Sequence, residues 1–235
     1  MKARSTTYGK RRQPLEAMYA AMFCQLGPSG WWPAKTPFAV ALGAILTQNT
    51  AWTNVEKALA LLEEATDLVP DRIAALSLPY LEACIRPAGF FRQKSRKILA
   101  FLELLRQYGG MGHGRDDMAM TCFSAVKTED MRRILLAVSG VGPETADCIL
   151  LYALNRPSFV VDAYTRRICA RHGLVAETVS YEELREFFMD ALEPNVPIYN
   201  EYHALIVRIG KDFCRKTKPR CGSCPLASFL DYAPE

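Results

Sequence analysis

Residues 135–167 read LLAVSGVGPETADCILLYALNRPSFVVDAYTRR, and the reading of this stretch decides the fold. An apolar helical turn runs into Ser139-Gly140-Val141-Gly142, and a second apolar helix starts at once. Two glycines flanking one small apolar residue let two helices meet in a tight hairpin, since glycine accepts φ > 0 without strain. The hairpin also leaves backbone N–H groups at the start of the second helix free for an anion such as a phosphate. Twenty residues past Gly142 stands a lone carboxylate, Asp162, at the mouth of a third helix carrying Arg166 and Arg167. Each part has a plain structural reading as well: Gly-Val-Gly as turn punctuation, Asp162 as a helix N-cap. Together, a phosphate grip followed by one acid points to chemistry beside a nucleic-acid backbone.

Composition sets the outer bounds. A chain of 235 residues, half of them apolar, can bury a good core as one large domain or two small lobes, and it is not disordered. A formal net charge of +4 permits a nucleic-acid partner without demanding one. No apolar run approaches membrane-spanning length, and the opening MKARSTTYGKRRQP lacks the apolar core of an export signal. Eight cysteines in that context read as a reducing, cytoplasmic and nucleoid-associated setting. Cys24, Cys84, Cys122, Cys148 and Cys169 sit singly in apolar helical surroundings and are expected in the core. The basic start, with Lys2, Arg4, Lys10, Arg11 and Arg12, reads either as a solvated tail or as an arm trailing along DNA.

Helical periodicity covers most of the chain, with no strand pattern of any length and no internal repeat, so an all-α fold is expected. Residues 14–26 form a helix stopped by Gly27-Pro28-Ser29-Gly30, after which Trp31-Trp32-Pro33 begin a loop or helix start. Residues 37–65 give two helices broken near Thr47-Gln48-Asn49-Thr50; the first is apolar almost all round and so central, and Thr50 is expected to cap the second. Gln48 and Asn49 are uncommon choices between buried helices, which marks them for function. Two short helices, a Pro-Ala-Gly turn at 87–89 and a longer helix ending at Gly109-Gly110 follow, then a loop over 111–126. The helix feeding the hairpin is expected to be capped by Thr128. Further helices are expected at 143–154, at 162–172, after a Ser180–Glu183 capping box, and up to Cys214.

GVGPETADCILLYA followed by VVDAYTRR resembles the helix–hairpin–helix plus Gly/Pro-Asp signature of the endonuclease III superfamily of DNA glycosylases, over residues 30–225. The resemblance implies two lobes. Residues 35–140 would form a six-helix barrel; residues 1–34 and 141–235 would form the second lobe, with the second hairpin helix, the catalytic acid and a cysteine loop. Double-stranded DNA containing damaged bases would be the partner, read by a monomer in a cleft between the lobes. Asp162 takes the place of the catalytic aspartate, beside the oxocarbenium-like centre that forms when a base leaves its sugar. Gln48, Gly140, Val141, Gly142 and Thr145 take DNA-contacting places, Gln48 at the position that fills the gap left in the duplex. Members that also cut the strand use a lysine two residues past the second glycine to form a Schiff base. Glu144 stands there and cannot form an imine, so a monofunctional enzyme leaving an abasic site is expected.

A narrower likeness comes from WWP at 31–33, LGAILTQNTAW at 42–52, RPAGFFRQK at 86–94 and the hairpin itself. Together these resemble the 3-methyladenine DNA glycosylases of the endonuclease III branch. That likeness implies an extruded, alkylated purine held between Trp32 with Pro33 on one side and Trp52 on the other, with Glu144 and Lys211 at the same pocket. A 3-methylated purine is cationic, so stacking gains a cation–π contribution, and a lesion is cheaper to flip. Some members carry a lysine six residues before Lys211, where this chain has Leu205, and that leaves base selectivity open. Which of Trp31 and Trp32 faces the base is open too. An oxidised-pyrimidine or mismatch glycosylase, and a DNA-binding module without catalysis, are the competing readings.

Cys214-x6-Cys221-x2-Cys224 resembles the first three ligands of the superfamily's [4Fe–4S] loop, whose fourth cysteine would fall at Leu230. Four thiolates are the usual set. The loop is therefore either a cluster site completed by Asp231 or an outside ligand, or a cluster-free remnant. Lys216, Lys218 and Arg220 contact phosphate or are simply solvated.

Overall fold

The computed structural model describes residues 4–32, 34–112 and 116–230. Those residues contain twelve α-helices and no strand: α1 (Arg4–Leu26), α2 (Pro37–Leu46), α3 (Trp52–Thr66), α4 (Pro70–Ala75), α5 (Leu78–Ile85), α6 (Phe91–Gln107), α7 (Asp116–Ala119), α8 (Thr128–Ala137), α9 (Pro143–Cys148), α10 (Ala163–Arg171), α11 (Tyr181–Ala191) and α12 (Val196–Asp212). None is long and apolar enough to cross a membrane. The all-α expectation holds.

The chain divides into two compact units, Trp32–Arg156 and Met1–Trp31 with Pro157–Glu235. The sequence-based boundary after residue 140 therefore differs from the structural one. Helix α9 and the π-helical turn that extends it, Ile149–Ala153, pack on α2 and stay with the first unit, because their apolar face has its partner there.

In the Trp32–Arg156 unit α2 is the axle. Thr36 caps it by accepting from the Ala39 N–H at 3.2 Å, Pro37 fits its first turn, and every residue from Phe38 to Leu46 is buried. Such a helix needs partners on all sides, and α3, α6, α7, α9 and the π turn supply them. Helix α6 offers the stripe Ile98, Phe101, Leu102 and Leu105, and the Phe101 ring stacks on Phe38 at 6.4 Å.

The other unit is built around an aromatic cluster. Phe159 stacks on Phe188 at 4.1 Å, and Tyr199 and Tyr202 meet it edge-on. The Tyr202 hydroxyl donates to the Leu15 carbonyl at 2.9 Å, and Arg208 donates to the carbonyls of Leu26 and Gly27, ending α1 against α12. The Ser180–Glu183 capping box forms as read.

Several local expectations are corrected. Helix α1 begins at Arg4 rather than at residue 14 and runs through Pro14. In the same unit Arg12 pairs with Glu16 and Glu193, so this part of the basic start is not a trailing arm; Lys2 lies outside the described residues. Neither threonine cap forms. Ala51 and Lys127 precede α3 and α8, and neither supplies a side-chain cap. Thr50 is held elsewhere by the Ala88 carbonyl and Lys94, while Thr128 is already the first helical residue. Cys24 is exposed, because it falls on the outer face of α1, and Cys122 is half-buried in a short 3₁₀ turn.

Candidate active site

The hairpin joins α8 to α9 through Val138–Gly142. Gly140 has φ +83, the left-handed region where glycine is needed, and an added Cβ there would collide with the Lys97 side chain. Gly142 does not use that freedom: its φ is −89, and an added Cβ would meet nothing within 4 Å. The expectation that both glycines serve the backbone turn is thus half right, and the second leaves open space at the N-terminus of α9. Below the turn Arg132 on α8 clamps Asp147 on α9 with two bonds, Nε–Oδ1 2.9 Å and Nη2–Oδ2 3.0 Å, and Asp147 is fully buried. A bidentate pair of this kind fixes the splay of the two helices. No local pattern marks it in the sequence, because its partners are fifteen residues apart across the turn.

Gln48 lies on the loop between α2 and α3 and is already engaged. Its amide donates to the Thr145 hydroxyl at 2.8 Å and to the Gly140 carbonyl at 3.2 Å, and its carbonyl accepts from Lys97. Thr145 is buried and turned toward Gln48, and Val141 is buried as the hinge's apolar plug. Lys94 holds the same loop from beneath. Only 2% exposed, it donates to the carbonyls of Leu46 and Ala88, both at 2.8 Å, and to the Thr50 hydroxyl at 2.5 Å. Burial, with Lys97 nearby, pushes its ammonium down to about 8. Sequence reading missed Lys94 and Lys97 as anchors; the one available signal was the lysine in the RPAGFFRQK stretch.

Trp52 opens α3, and its ring meets Trp32 edge to face, centroids 5.0 Å apart at 86°. Gly43 on α2 seats both rings: a Cβ there would stand 3.3 Å from Trp32 and 3.5 Å from Trp52. Tyr152, carried by the π turn, leans on Trp32 at 5.1 Å. A base sandwiched between the two indoles needs about 7 Å between ring planes, two stacking contacts of about 3.5 Å each. The rings as placed meet at right angles instead, with no slot between them. Pro33 lies outside the described residues. Glu144 is exposed on the first turn of α9, where the helix dipole favours its negative charge.

In the Met1–Trp31 and Pro157–Glu235 unit, Asp162 is both N-cap and candidate acid. Its Oδ1 accepts from the Thr165 N–H at 2.7 Å and from the Thr165 hydroxyl at 2.8 Å, and that hydroxyl takes the Asp162 N–H in return at 3.3 Å. Its Oδ2 faces His203 Nε2 at 3.8 Å, beyond hydrogen-bond length, so that contact is electrostatic. Burial alone would push the carboxyl up; His203 and Thr165 outweigh it and hold the group below the usual carboxylate range. The carboxylate is therefore ionised, oriented and only 13% exposed. His203, about three helical turns before Cys214, is a neighbour that the sequence reading did not pair with Asp162. Lys211 is exposed in the last turn of α12, and Leu205 is fully buried.

The three loop cysteines line one small recess, together with Arg171, His172, Phe213, Leu226, Ala227 and Leu230. Arg171 fixes the loop: it donates to the carbonyls of Arg215 at 2.7 Å and Lys216 at 3.0 Å, and its guanidinium lies 3.4 Å from Cys214 Sγ. Burial pushes the Cys224 thiol up against the opposing Leu226 backbone, and the neighbouring Cys214 and Cys221 add to the rise. None of the three is joined in a disulfide. The donor set fits an iron–sulfur cluster: soft thiolates around an apolar recess with a guanidinium at its rim. Leu230 lines the recess at the place of the absent fourth cysteine. Asp231 lies outside the described residues.

Comparison with known proteins places the chain. The HhH-GPD superfamily of base excision DNA repair proteins matches residues 42–194. A Methanocaldococcus jannaschii protein named as a DNA repair glycosylase is 43% identical over 213 residues, 90% of this chain and 93% of its own. Endonuclease III of Sulfolobus acidocaldarius is 27% identical over 199 residues, 84% of this chain and 83% of its own. An endonuclease III–DNA complex shares the fold with a TM-score of 0.74 at 24% identity, over 94% of both chains. Helicobacter pylori 3-methyladenine DNA glycosylase, solved with 1,N6-ethenoadenine, gives a TM-score of 0.68 at 26% identity, over 85% of this chain and 96% of its own. The chain belongs to the HhH-GPD superfamily of base excision DNA repair proteins. Its activity is that of a DNA N-glycosylase.

Proposed function

We propose that this glycosylase is monofunctional and releases alkylated purines such as 3-methyladenine from duplex DNA. Glu144 carries the first half of that reading. It stands on the first turn of α9 where strand-cutting relatives are expected to have a lysine, and a carboxylate cannot condense with the sugar aldehyde. The aromatic group of Trp32, Trp52 and Tyr152 supports the second half, since a cationic alkylated purine gains from lying on an electron-rich ring face. The Helicobacter pylori enzyme, named for 3-methyladenine, agrees with it.

In the proposed reaction the free hairpin N–H groups, that of Gly142 among them, hold a phosphate, and the extruded base stacks on an indole face. The C1′–N9 bond breaks with its electron pair going to the cationic base, which leaves neutral. Asp162, ionised and fixed by Thr165, stabilises the positive sugar; water adds at C1′ and gives up its proton, leaving an abasic site. Cys214, Cys221 and Cys224 would hold a [4Fe–4S] cluster, which when bound cross-links the C-terminal loop.

The endonuclease III relatives favour a second reading, an oxidised-pyrimidine glycosylase. The two separate in one experiment with duplex DNA carrying either methylated purines or thymine glycol. Free 3-methyladenine, with strand breaks appearing only after hot alkali, is expected. Breaks before alkali would overturn the monofunctional assignment, and release of thymine glycol alone would overturn the purine one.

A further inference from the structure

The cysteine recess is one donor short of a cluster's usual four, and the structure has a buried nitrogen facing the shortage. His172 caps the C-terminus of α10, directly after Arg171, and its side chain lines the same recess as the three thiols. It is only 5% exposed, yet its Nδ1 has no hydrogen-bond partner. The Phe229 backbone, in the 3₁₀ turn Ala227–Phe229 that immediately precedes Leu230, lies close to the ring. The imidazole thus reaches across to the turn where the fourth cysteine would have stood. Burying an unpaired polar atom is costly, and such atoms ask for an explanation.

We propose that His172 Nδ1 is the fourth protein ligand of a [4Fe–4S] cluster held by Cys214, Cys221 and Cys224, an inference that rests on the cluster assignment above. A neutral imidazole ligates through its nitrogen lone pair, and the three thiols give up their protons to become thiolates. The second ring nitrogen donating to a backbone carbonyl is the usual way a ligating histidine is oriented. A cluster takes one ligand per iron, so its donors stand around a cavity rather than converging on a point. Accordingly, among the described residues no three His, Cys, Asp or Glu side chains converge to hold a single ion. That same geometry disfavours a lone zinc, which draws its four ligands to about 2.0–2.3 Å.

The test reconstitutes the full chain anaerobically with iron and sulfide, then measures iron, acid-labile sulfide, visible absorption and electron spin-echo spectra of the reduced protein with and without ¹⁵N-histidine. Wild type is expected to hold about four irons and to show a directly coordinated nitrogen whose coupling changes with the isotope. His172→Leu should fall to about three irons or fewer and lose that coupling, while His172→Cys should keep about four without it. A thermal melt of each variant checks folding, and the isotope experiment on wild type needs no variant at all. A wild type with a full cluster and no histidine coupling overturns the ligand assignment alone. A wild type that takes up no iron, or zinc in its place, overturns the cluster reading and the ligand assignment together.

Discussion

The hairpin region and the cysteine loop satisfy their polar groups in opposite ways. Around the hairpin every donor that matters has been used within the unit: Gln48 on Thr145 and Gly140, Lys97 on Gln48, Lys94 on two carbonyls and Thr50, Arg132 on Asp147. In the loop, three thiols line a recess with one buried imidazole nitrogen that has no hydrogen-bond partner. The first region is finished by the polypeptide alone, so its shape stands ready before any DNA arrives. The second is left with a buried nitrogen that the chain itself does not satisfy. Asp162 belongs with the first kind, since Thr165 and His203 define its carboxylate in advance. Preorganisation of that sort is what lets a charge act on a transition state without first rearranging.

The largest effect separates chemistry from construction. Asp162→Asn keeps the cap, because an amide oxygen still accepts from Thr165, but removes the charge. Base release under single-turnover conditions should fall by about 10³-fold or more, with DNA affinity nearly unchanged; an equal loss of both would make Asp162 a structural cap only. Next comes the buried clamp of the finished region. Arg132→Ala strands the Asp147 carboxylate and should lower stability by about 3 kcal/mol in chemical denaturation. The double variant that combines Arg132→Met with Asp147→Leu replaces both charges by apolar groups and should cost much less. A small effect of the single variant would show that the hairpin is not rigid by this means.

Gln48→Ala cuts the link between the loop and the turn. Affinity for duplex carrying an abasic analogue is expected to weaken by about tenfold, near 1.4 kcal/mol; unchanged affinity would say that the hairpin holds its shape without Gln48. The smallest effect is a shift in pH. His203 helps hold the Asp162 carboxyl below its ordinary range, so His203→Leu should move the acid limb of kcat/KM upward. The same linkage gives stability that is present above the unfolded carboxyl value and lost as pH falls through the folded one. An acid limb that stays in place would leave Thr165 as the sole influence.

The sequence made the helices legible wherever the signal was local. The Ser180–Glu183 box, the start of α10 at Asp162 and the apolar roundness of α2 each need only their own few residues to be read. What escaped depended on distant partners. Thr50 looks like a cap until Lys94, forty-four residues on, claims its hydroxyl. The boundary after residue 140 looked natural because the turn is there, yet apolar contact with α2 keeps the chain in one unit until Arg156. Trp32 and Trp52 were legible as a pair, but their edge-on meeting depends on the seat at Gly43. His172 carried no pattern at all, since a histidine at a helix end is ordinary until a recess with three thiols is found in front of it.

Gly140 and Gly142, two letters of one motif, answer to different judges. Replacing Gly140 strains a left-handed turn and strikes Lys97, so any survey of variants that counts folded protein will reject it. Alanine at 142 fits both the backbone and the empty space, so the same survey will pass it. A survey that counts cells rescued from alkylating agents should reject both, and the gap between the two scores at residue 142 would measure what DNA alone demands of this protein.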